Sequence, residues 1–345
     1  MTSTRDTGLD VTARPATAVL GAGSWGTALA VHLARTGHAT VLWGRDARQM
    51  TEFAAARCNT RYLPATPFPD SLRIEPDLAR ALGGADELLV AVPSHAFRET
   101  LEQCAPLMRG GMRVAWATKG FELETGRLPH QVANEVLGAD VPKAVLSGPT
   151  FAREVGLGLP TAMTVASRDK DYALELAHGL SGHNFRAYAS TDVIGVEVGG
   201  ATKNVLAIGA GISDGLGFGA NTRVALITRG LAEMMRLGVA LGAEKDTFMG
   251  LAGLGDLVLT CTDDQSRNRR MGLALASGRT SAEAQREIGQ VVEGVLAARA
   301  VRHVAHAHHV EMPIAEQICL VLYSGLAPRE AVAALMGRAV KSETQ

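Results

Sequence analysis

Val19-Leu20-Gly21-Ala22-Gly23-Ser24-Trp25-Gly26-Thr27-Ala28-Leu29-Ala30 decides the fold of this chain. The apolar run Ala16–Leu20 enters a G-x-G-x-x-G turn, and the turn opens into the helical pattern Thr27–Leu33. A strand that passes through such a turn into a helix forms the phosphate-binding entrance of a dinucleotide fold. Gly21 permits the tight turn, Gly23 lets backbone N–H groups approach a pyrophosphate, and Gly26 lets helix and strand pack closely. The helix start then offers unpaired donors and partial positive charge to the anion. In a chain with 38 glycines the string alone says little. Its place between a strand and a helix is what argues for nucleotide binding over a purely structural turn.

The 345 residues suggest two domains. At 47% apolar and 20% charged the chain can build sizeable cores, and with only 4% aromatics these rest on Ala, Leu, Val and Met. A net charge of −1 gives no electrostatic reason to expect nucleic acid or a membrane surface as a partner. Cys58, Cys104, Cys261 and Cys319 form no C-x-x-C pair and read as reduced thiols of a cytoplasmic protein. No apolar stretch is expected to reach the roughly 18 residues of a membrane span. The polar segment 1–15 lacks the apolar core of a secretory signal and reads as a mobile tail.

Residues 16–190 alternate short β-branched runs with helical stretches. Strands are expected at Ala39–Trp43, Glu87–Val92, Arg113–Ala117, Ala144–Leu146, Thr161–Ala166 and Asn184–Tyr188, with helices at Ala47–Arg57 and Asp77–Leu82. This predicts an α/β, Rossmann-like domain with a mostly parallel sheet covered on both faces. Over 191–340 strand alternation disappears. Thr191–Gly211, Thr222–Gly242 and Val295–His309 read as helices, and Thr280 with Glu283 reads as a capping box. The second domain is therefore expected to be all-α.

Ligands of open α/β sheets collect beyond the carboxyl ends of the strands, so the residues there matter most. Arg45 precedes Asp46 where an acidic residue would hold an adenosine ribose. A guanidinium there suits a 2′-phosphate and leans the cofactor toward NADPH over NADH, although a solvated arginine would look the same. Pro93-Ser94-His95 follows the next strand, with His95 better read as solvated or capping than as an acid or base. Thr118-Lys119-Gly120 places a lysine at a strand exit, suited to an anionic ligand. Ser147-Gly148-Pro149-Thr150-Phe151-Ala152 offers backbone donors and the Thr150 hydroxyl.

In the helical half, Glu197, Gly200 and Asn204 share one stripe with Lys203 at its edge. Paired glycines in a helix cost roughly 1 kcal/mol each, which suggests close approach to something. Lys203, among valines and leucines, is expected to be partly buried and so prepared for proton transfer, while an ordinary snorkelling lysine fits the same pattern. Gly253–Leu257 through Ser266-Arg267-Asn268-Arg269-Arg270 is the densest polar cluster. It reads as a phosphate cradle capped by Ser266 or as a solvated basic turn. His303, His306, His308 and His309 lack the further ligands of a metal site, and no metal is expected. Met234-Met235 reads as helix packing.

Taken together these strings resemble the NAD(P)-dependent glycerol-3-phosphate dehydrogenases of the bacterial type, from Ala18 to about Val340. The resemblance rests on Gly21–Ala30, Val92–His95, Ala117–Glu122 and Leu146–Ala152 in the first half. In the second half it rests on Gly199–Asn204, Gly253–Leu257, Ser266–Arg269 and Gly289–Gly294. It implies that Lys203 is the proton donor and acceptor, with Thr260 and Asn204 supporting it. It implies a substrate site lined by Lys119, Gly148, Thr150, Lys203, Asp256, Ser266, Arg267 and Asn268. NADP or NAD would be held by Ser24, Trp25, Arg45, Lys119, Ala152, Arg267, Val291 and Glu293, beside the glycines of the loop.

The implied reaction reduces dihydroxyacetone phosphate to sn-glycerol 3-phosphate for phospholipid synthesis in the cytoplasm. Lys119 and Lys203 would stabilise charge growing on the ketone oxygen, each lowering the other's proton affinity, while Asp256 orients Lys203 or binds a substrate hydroxyl. Small-molecule substrates, no nucleic acid and no membrane insertion follow, and a homodimer is left open. The competing expectations are a β-hydroxyacid or 6-phosphogluconate type of dehydrogenase, and a non-catalytic dinucleotide-responsive regulator.

Overall fold

The computed structural model describes residues 14–182, 184–340, 342 and 343. Residues 1–13 of the expected tail lie outside the described residues. Ten strands occupy the first half: β1 Thr17–Leu20, β2 Thr40–Trp43, β3 Cys58–Asn59, β4 Leu63–Pro67, β5 Leu72–Glu75, β6 Glu87–Val90, β7 Arg113–Trp116, β8 Lys143–Ser147, β9 Thr161–Ala166 and β10 Phe185–Ser190. Eight of them form one sheet in the order β10-β9-β8-β7-β6-β1-β2-β5, while β3 and β4 pair as a separate hairpin. Every pairing in the large sheet is parallel except β8 with β9.

Thr17 faces Thr40 on one side and Glu87 on the other, so β1 lies at the point where the strand order reverses. The loops leaving β1, β6, β7 and β8 therefore open at one edge of the sheet. This is the crevice that parallel sheets offer to ligands. β1 and β6 are buried along their whole length, as expected of strands covered on both faces.

Several elements differ from the sequence expectation. β5 and the β3–β4 hairpin were not foreseen: β5 is only four residues long, and Pro64 and Pro67 argue against a strand except at an edge. The strand from Glu87 ends at Val90, and Ser94 begins a helix with Pro93 as its N-cap. Asp77 caps the helix Leu78–Leu82, and Arg57, in the left-handed region, ends the helix Ala47–Ala56.

No strand follows Ser190 among the described residues. The helix Val193–Gly215 begins two residues later than expected and runs four residues further. It forms the axis of the helical half and packs with the helices Ala220–Ala240, Asp256–Thr262, Arg267–Ala276, Glu293–Ala307 and Pro313–Tyr323. Contrary to the expectation about apolar stretches, this helix is long and apolar enough to cross a membrane, with a mean hydropathy of 1.2. It is a core element, because 94% of that apolar window is buried inside the protein. A helix apolar on all sides belongs at the centre of a large bundle. The capping box of Thr280 and Glu283 forms as expected, and Met234 is fully buried in the helical core. The four cysteines are free thiols.

Candidate active site

The glycine loop shows the tight turn and the close packing expected of it by measurable geometry. Gly21 has φ +119°, and a Cβ there would come within 2.6 Å of the Ala91 carbonyl oxygen beyond β6. A Cβ on Gly26 would lie 1.9 Å from the Gly21 carbonyl oxygen, so only glycine lets the helix Ser24–Arg35 sit this close to the strand exit. Nothing lies within 4 Å of where a Gly23 Cβ would point, and no side chain caps that helix. Its first N–H groups are left for an incoming acceptor. These features fit a dinucleotide pyrophosphate.

Asn59 supports the loop from the unforeseen hairpin. Its fully buried amide donates to the Ala22 carbonyl at 3.1 Å and to Thr27 Oγ1 at 2.7 Å. No periodicity or motif around residue 59 signals this. After β2, Asp46 is committed to capping the next helix through the N–H groups of Arg48 and Gln49. Arg45 is exposed and makes no hydrogen bond or ion pair among the described residues. Its guanidinium is thus unpaired among the described residues.

The candidate reacting groups gather where the loop after β7 meets the helix Val193–Gly215. Lys119 Nζ donates to Asp256 Oδ2 at 2.7 Å, and Lys203 Nζ donates to Asp256 Oδ1 in a very short contact. Lys203 also donates to Thr260 Oγ1 at 3.0 Å, and that hydroxyl donates on to the Asp256 carbonyl at 2.6 Å. The missing Cβ of Gly200 explains the approach. A methyl there would lie 3.3 Å from Lys119 Cγ and 3.3 Å from Ser147 Oγ. Asp256 follows a π-helical turn, Leu251–Gly255, packed so closely on Gly199 that a Cβ there would meet the Ala252 carbonyl oxygen at 2.4 Å. Such turns are frequent at functional sites.

Two cations thus share one carboxylate in a nearly dry site, with side-chain exposures of 14% for Lys119, 10% for Lys203 and 1% for Asp256. Burial pulls the Lys203 ammonium down to about 8. Asp256 opposes the shift and the like charge of Lys119 adds to it. Burial also pushes the Asp256 carboxyl up, but the ammonium groups of Lys119 and Lys203 outweigh this and hold it below its ordinary value.

A second network adjoins the first. Asn268 donates to Asn204 Oδ1 at 2.8 Å, Asn204 donates to Glu293 Oε2 at 3.1 Å, and Asn268 accepts from the Gly294 N–H at 2.9 Å. Asn204, expected to support Lys203, therefore joins Asn268 to Glu293 instead. The neutral amide is needed where a helix start and a carboxylate must be bridged. Ser266 caps the helix Arg267–Ala276 by accepting from the Arg269 N–H. Arg269 is fastened to Asp214 at 2.7 Å and to Asp264. Arg267 has no such partner among the described residues. One arginine of the basic string thus serves the fold while its neighbour is unpaired.

Gly148 and Thr150 lie in the turn after β8, where a Cβ on Gly255 would sit 3.5 Å from Pro149 Cγ, so this turn flanks Asp256. Ala152 begins the short helix Ala152–Leu157, and Trp25 is half-buried against the core of the first half. Val291 is exposed. His95 is exposed at the start of its helix, in keeping with a solvated role.

Residues 16–173 match the sequence profile described as "NAD-dependent glycerol-3-phosphate dehydrogenase N-terminus", and residues 192–333 match its C-terminus counterpart. The chain is similar to glycerol-3-phosphate dehydrogenase [NAD(P)+] of Enterobacter sp. (strain 638), 59% identical over 94% of this chain and 96% of that protein. It also resembles the crystal structure of a glycerol-3-phosphate dehydrogenase from Coxiella burnetii. The TM-score is 0.92 at 48% identity, over 95% of this chain and 100% of that one. A Plasmodium falciparum glycerol-3-phosphate dehydrogenase shares the fold, with TM-score 0.85 at 21% identity over 95% and 97% of the two chains.

Proposed function

Because this chain belongs to the NAD-dependent glycerol-3-phosphate dehydrogenase family, we propose that its two lysines and Asp256 form the centre that interconverts dihydroxyacetone phosphate and sn-glycerol 3-phosphate. The observation that carries this reading is the buried carboxylate held between two ammonium groups. NADP or NAD, when bound, supplies or accepts the hydride.

Lys203 is the acid. Its Nζ passes a proton to the ketone oxygen as negative charge develops there, and takes one back in the reverse direction. Its partial loss of basicity matches this task, because a donor works best when its pKa lies near the operating pH. Lys119 adds a second positive charge at the same oxygen, where low water content makes it count for more. Asp256 keeps both cations in place and Thr260 fixes the direction of Lys203.

Ser266, Arg267 and Asn268 take the substrate phosphate at the helix start, with Gly148 and Thr150 closing the opposite side, so that remote binding energy positions the carbonyl. Gly21, Gly23, Ser24, Trp25, Gly26, Ala152, Val291 and Glu293 take the cofactor. Arg45 gives the preference for NADPH by pairing with its 2′-phosphate. The product feeds phospholipid synthesis in the cytoplasm.

The test is oxidation of NADPH by purified protein on addition of dihydroxyacetone phosphate. Lys203→Ala should lower kcat by roughly 10³-fold while leaving the NADPH Kd unchanged. Near-normal turnover in that variant removes Lys203 from the reaction. Arg45→Ala should raise KM for NADPH about tenfold and spare NADH. An equal rise for both cofactors refutes the phosphate assignment.

A further inference from the structure

Glu197 lies on the axial helix two turns before Lys203, and its carboxylate is spent on the other half of the molecule. Oε1 accepts from the Trp116 indole N–H at 3.0 Å and from the His130 backbone N–H at 2.9 Å. Oε2 lies 2.5 Å from His130 Nδ1, within hydrogen-bond distance. All three residues are buried, Trp116 completely. A carboxylate this deep is costly unless fully partnered, so the site must be worth its desolvation.

The partners show what it accomplishes. Trp116 is the last residue of β7 and stands three residues before Lys119. His130 is the second residue of the helix Pro129–Leu137, which follows the same loop. Glu197 therefore clamps both ends of the segment that delivers Lys119. Between the clamp and the charge centre, Thr118 Oγ1 donates to the Val92 carbonyl at 2.7 Å, and the Lys119 stem lies across Gly200. Glu197, Gly200 and Lys203 step along the helix at intervals of three, each about 4.5 Å of rise. They fasten the strand end, bed the lysine stem and meet its ammonium through Asp256, in that order.

We infer that Glu197 is a positioning residue for the reaction: through Trp116 and His130 it sets the register of β7 on the axial helix and so fixes Lys119 against Asp256 and Lys203. This rests on the site reading given above. A displacement of about 1 Å in such a group can cost on the order of 100-fold in rate, so the effect belongs in kcat.

The experiment is a double-mutant cycle on full-length protein. Glu197→Ala should lower kcat about 10- to 100-fold with KM for NADPH within about twofold of the parent. Glu197→Gln, whose amide oxygen still accepts from Trp116 and the His130 backbone, should restore most of the rate. In a Lys119→Ala background Glu197→Ala should cost little further, because the group it positions is gone. Trp116→Phe removes one donor while keeping an aromatic ring, at the cost of a modest cavity. It should reproduce the same pattern at smaller size, and it decides the matter if Glu197→Ala fails to fold.

A purely structural Glu197 would lower kcat by the same factor in both backgrounds, or lower Tm with kcat intact. Either result overturns the inference while leaving the site reading standing. Full turnover by Lys119→Ala alone would remove the site reading and this inference with it.

Discussion

Asp256 and Glu233 are both about 1% exposed, and both sit on helices of the second half, yet they hold their protons oppositely. Asp256 faces the ammonium groups of Lys119 and Lys203 and is held below the usual carboxylate value. Glu233 faces the N–H groups of Ile314 at 2.7 Å and Ala315 at 3.2 Å, at the start of the helix Pro313–Tyr323. Burial pushes Glu233 up to about 7, only partly opposed by those two donors. Burial is equal at the two sites, so the difference comes from the partners. Full positive charges in direct contact overcome desolvation, whereas backbone dipoles, aided only by the more distant Arg236 and Arg338, do not. One carboxylate gathers two cations and the other caps a helix.

Asp256→Asn should break this contrast most severely. It keeps the shape but leaves two like charges facing each other with no anion between them. Removing one partner of a buried pair costs roughly 3–5 kcal/mol, and we expect kcat to fall by about 10³-fold, read from steady-state turnover. Turnover within tenfold of the parent would show that Asp256 does no more than Glu233 does.

The next effect is smaller and lies in the pH profile. In the proposed reaction, ketone reduction needs Lys203 protonated, so kcat in that direction should fall as pH rises through about 8. Oxidation of glycerol 3-phosphate needs the neutral amine and should rise through the same value. In Asp256→Asn both limbs should move to lower pH, since the anion that favours the ammonium is lost. A profile flat between pH 7 and 9 in both directions, with chemistry rate-limiting, would exclude Lys203 as the proton carrier.

The two halves were not equally legible in the sequence. The turn of the glycine loop could be read because strand, turn and helix are contiguous, and Gly21 and Gly26 answer to local steric demands. Lys203 and Asn204 stood out as polar residues on an apolar helix, but their partners lie 53 or more positions away. Periodicity says nothing about which distant carboxylate a lysine meets. Lys119 at its strand exit and the Ser266 string were legible as anion sites, but Asp256 gained its role only through family resemblance, and the structure supplies the distance that joins it to Lys119. Asn59 left no trace at all, because an asparagine in a two-residue strand looks like any turn residue. The axial helix misled in another way. Its composition alone would suit a lipid bilayer, and only the helices packed around it show that its apolar faces are covered by protein.

Glu233→Gln should give the smallest effect and the cleanest separation of the two sites. Glu233 binds its proton more tightly folded, at about 7, than unfolded, where the ordinary value is 4.5. The folded state therefore gains from this proton fully below about pH 4.5 and loses the gain as pH rises through about 7. A glutamine keeps an acceptor for the Ile314 N–H and carries no titrating proton, so it removes that loss. Relative to the variant, the parent protein should lose a few degrees of Tm between pH 5 and 8, with kcat and KM the same in both. Parallel Tm curves for the two proteins would mean that Glu233 stays ionised in the fold, as Asp256 does. In that case partner charge would not be what divides these two carboxylates.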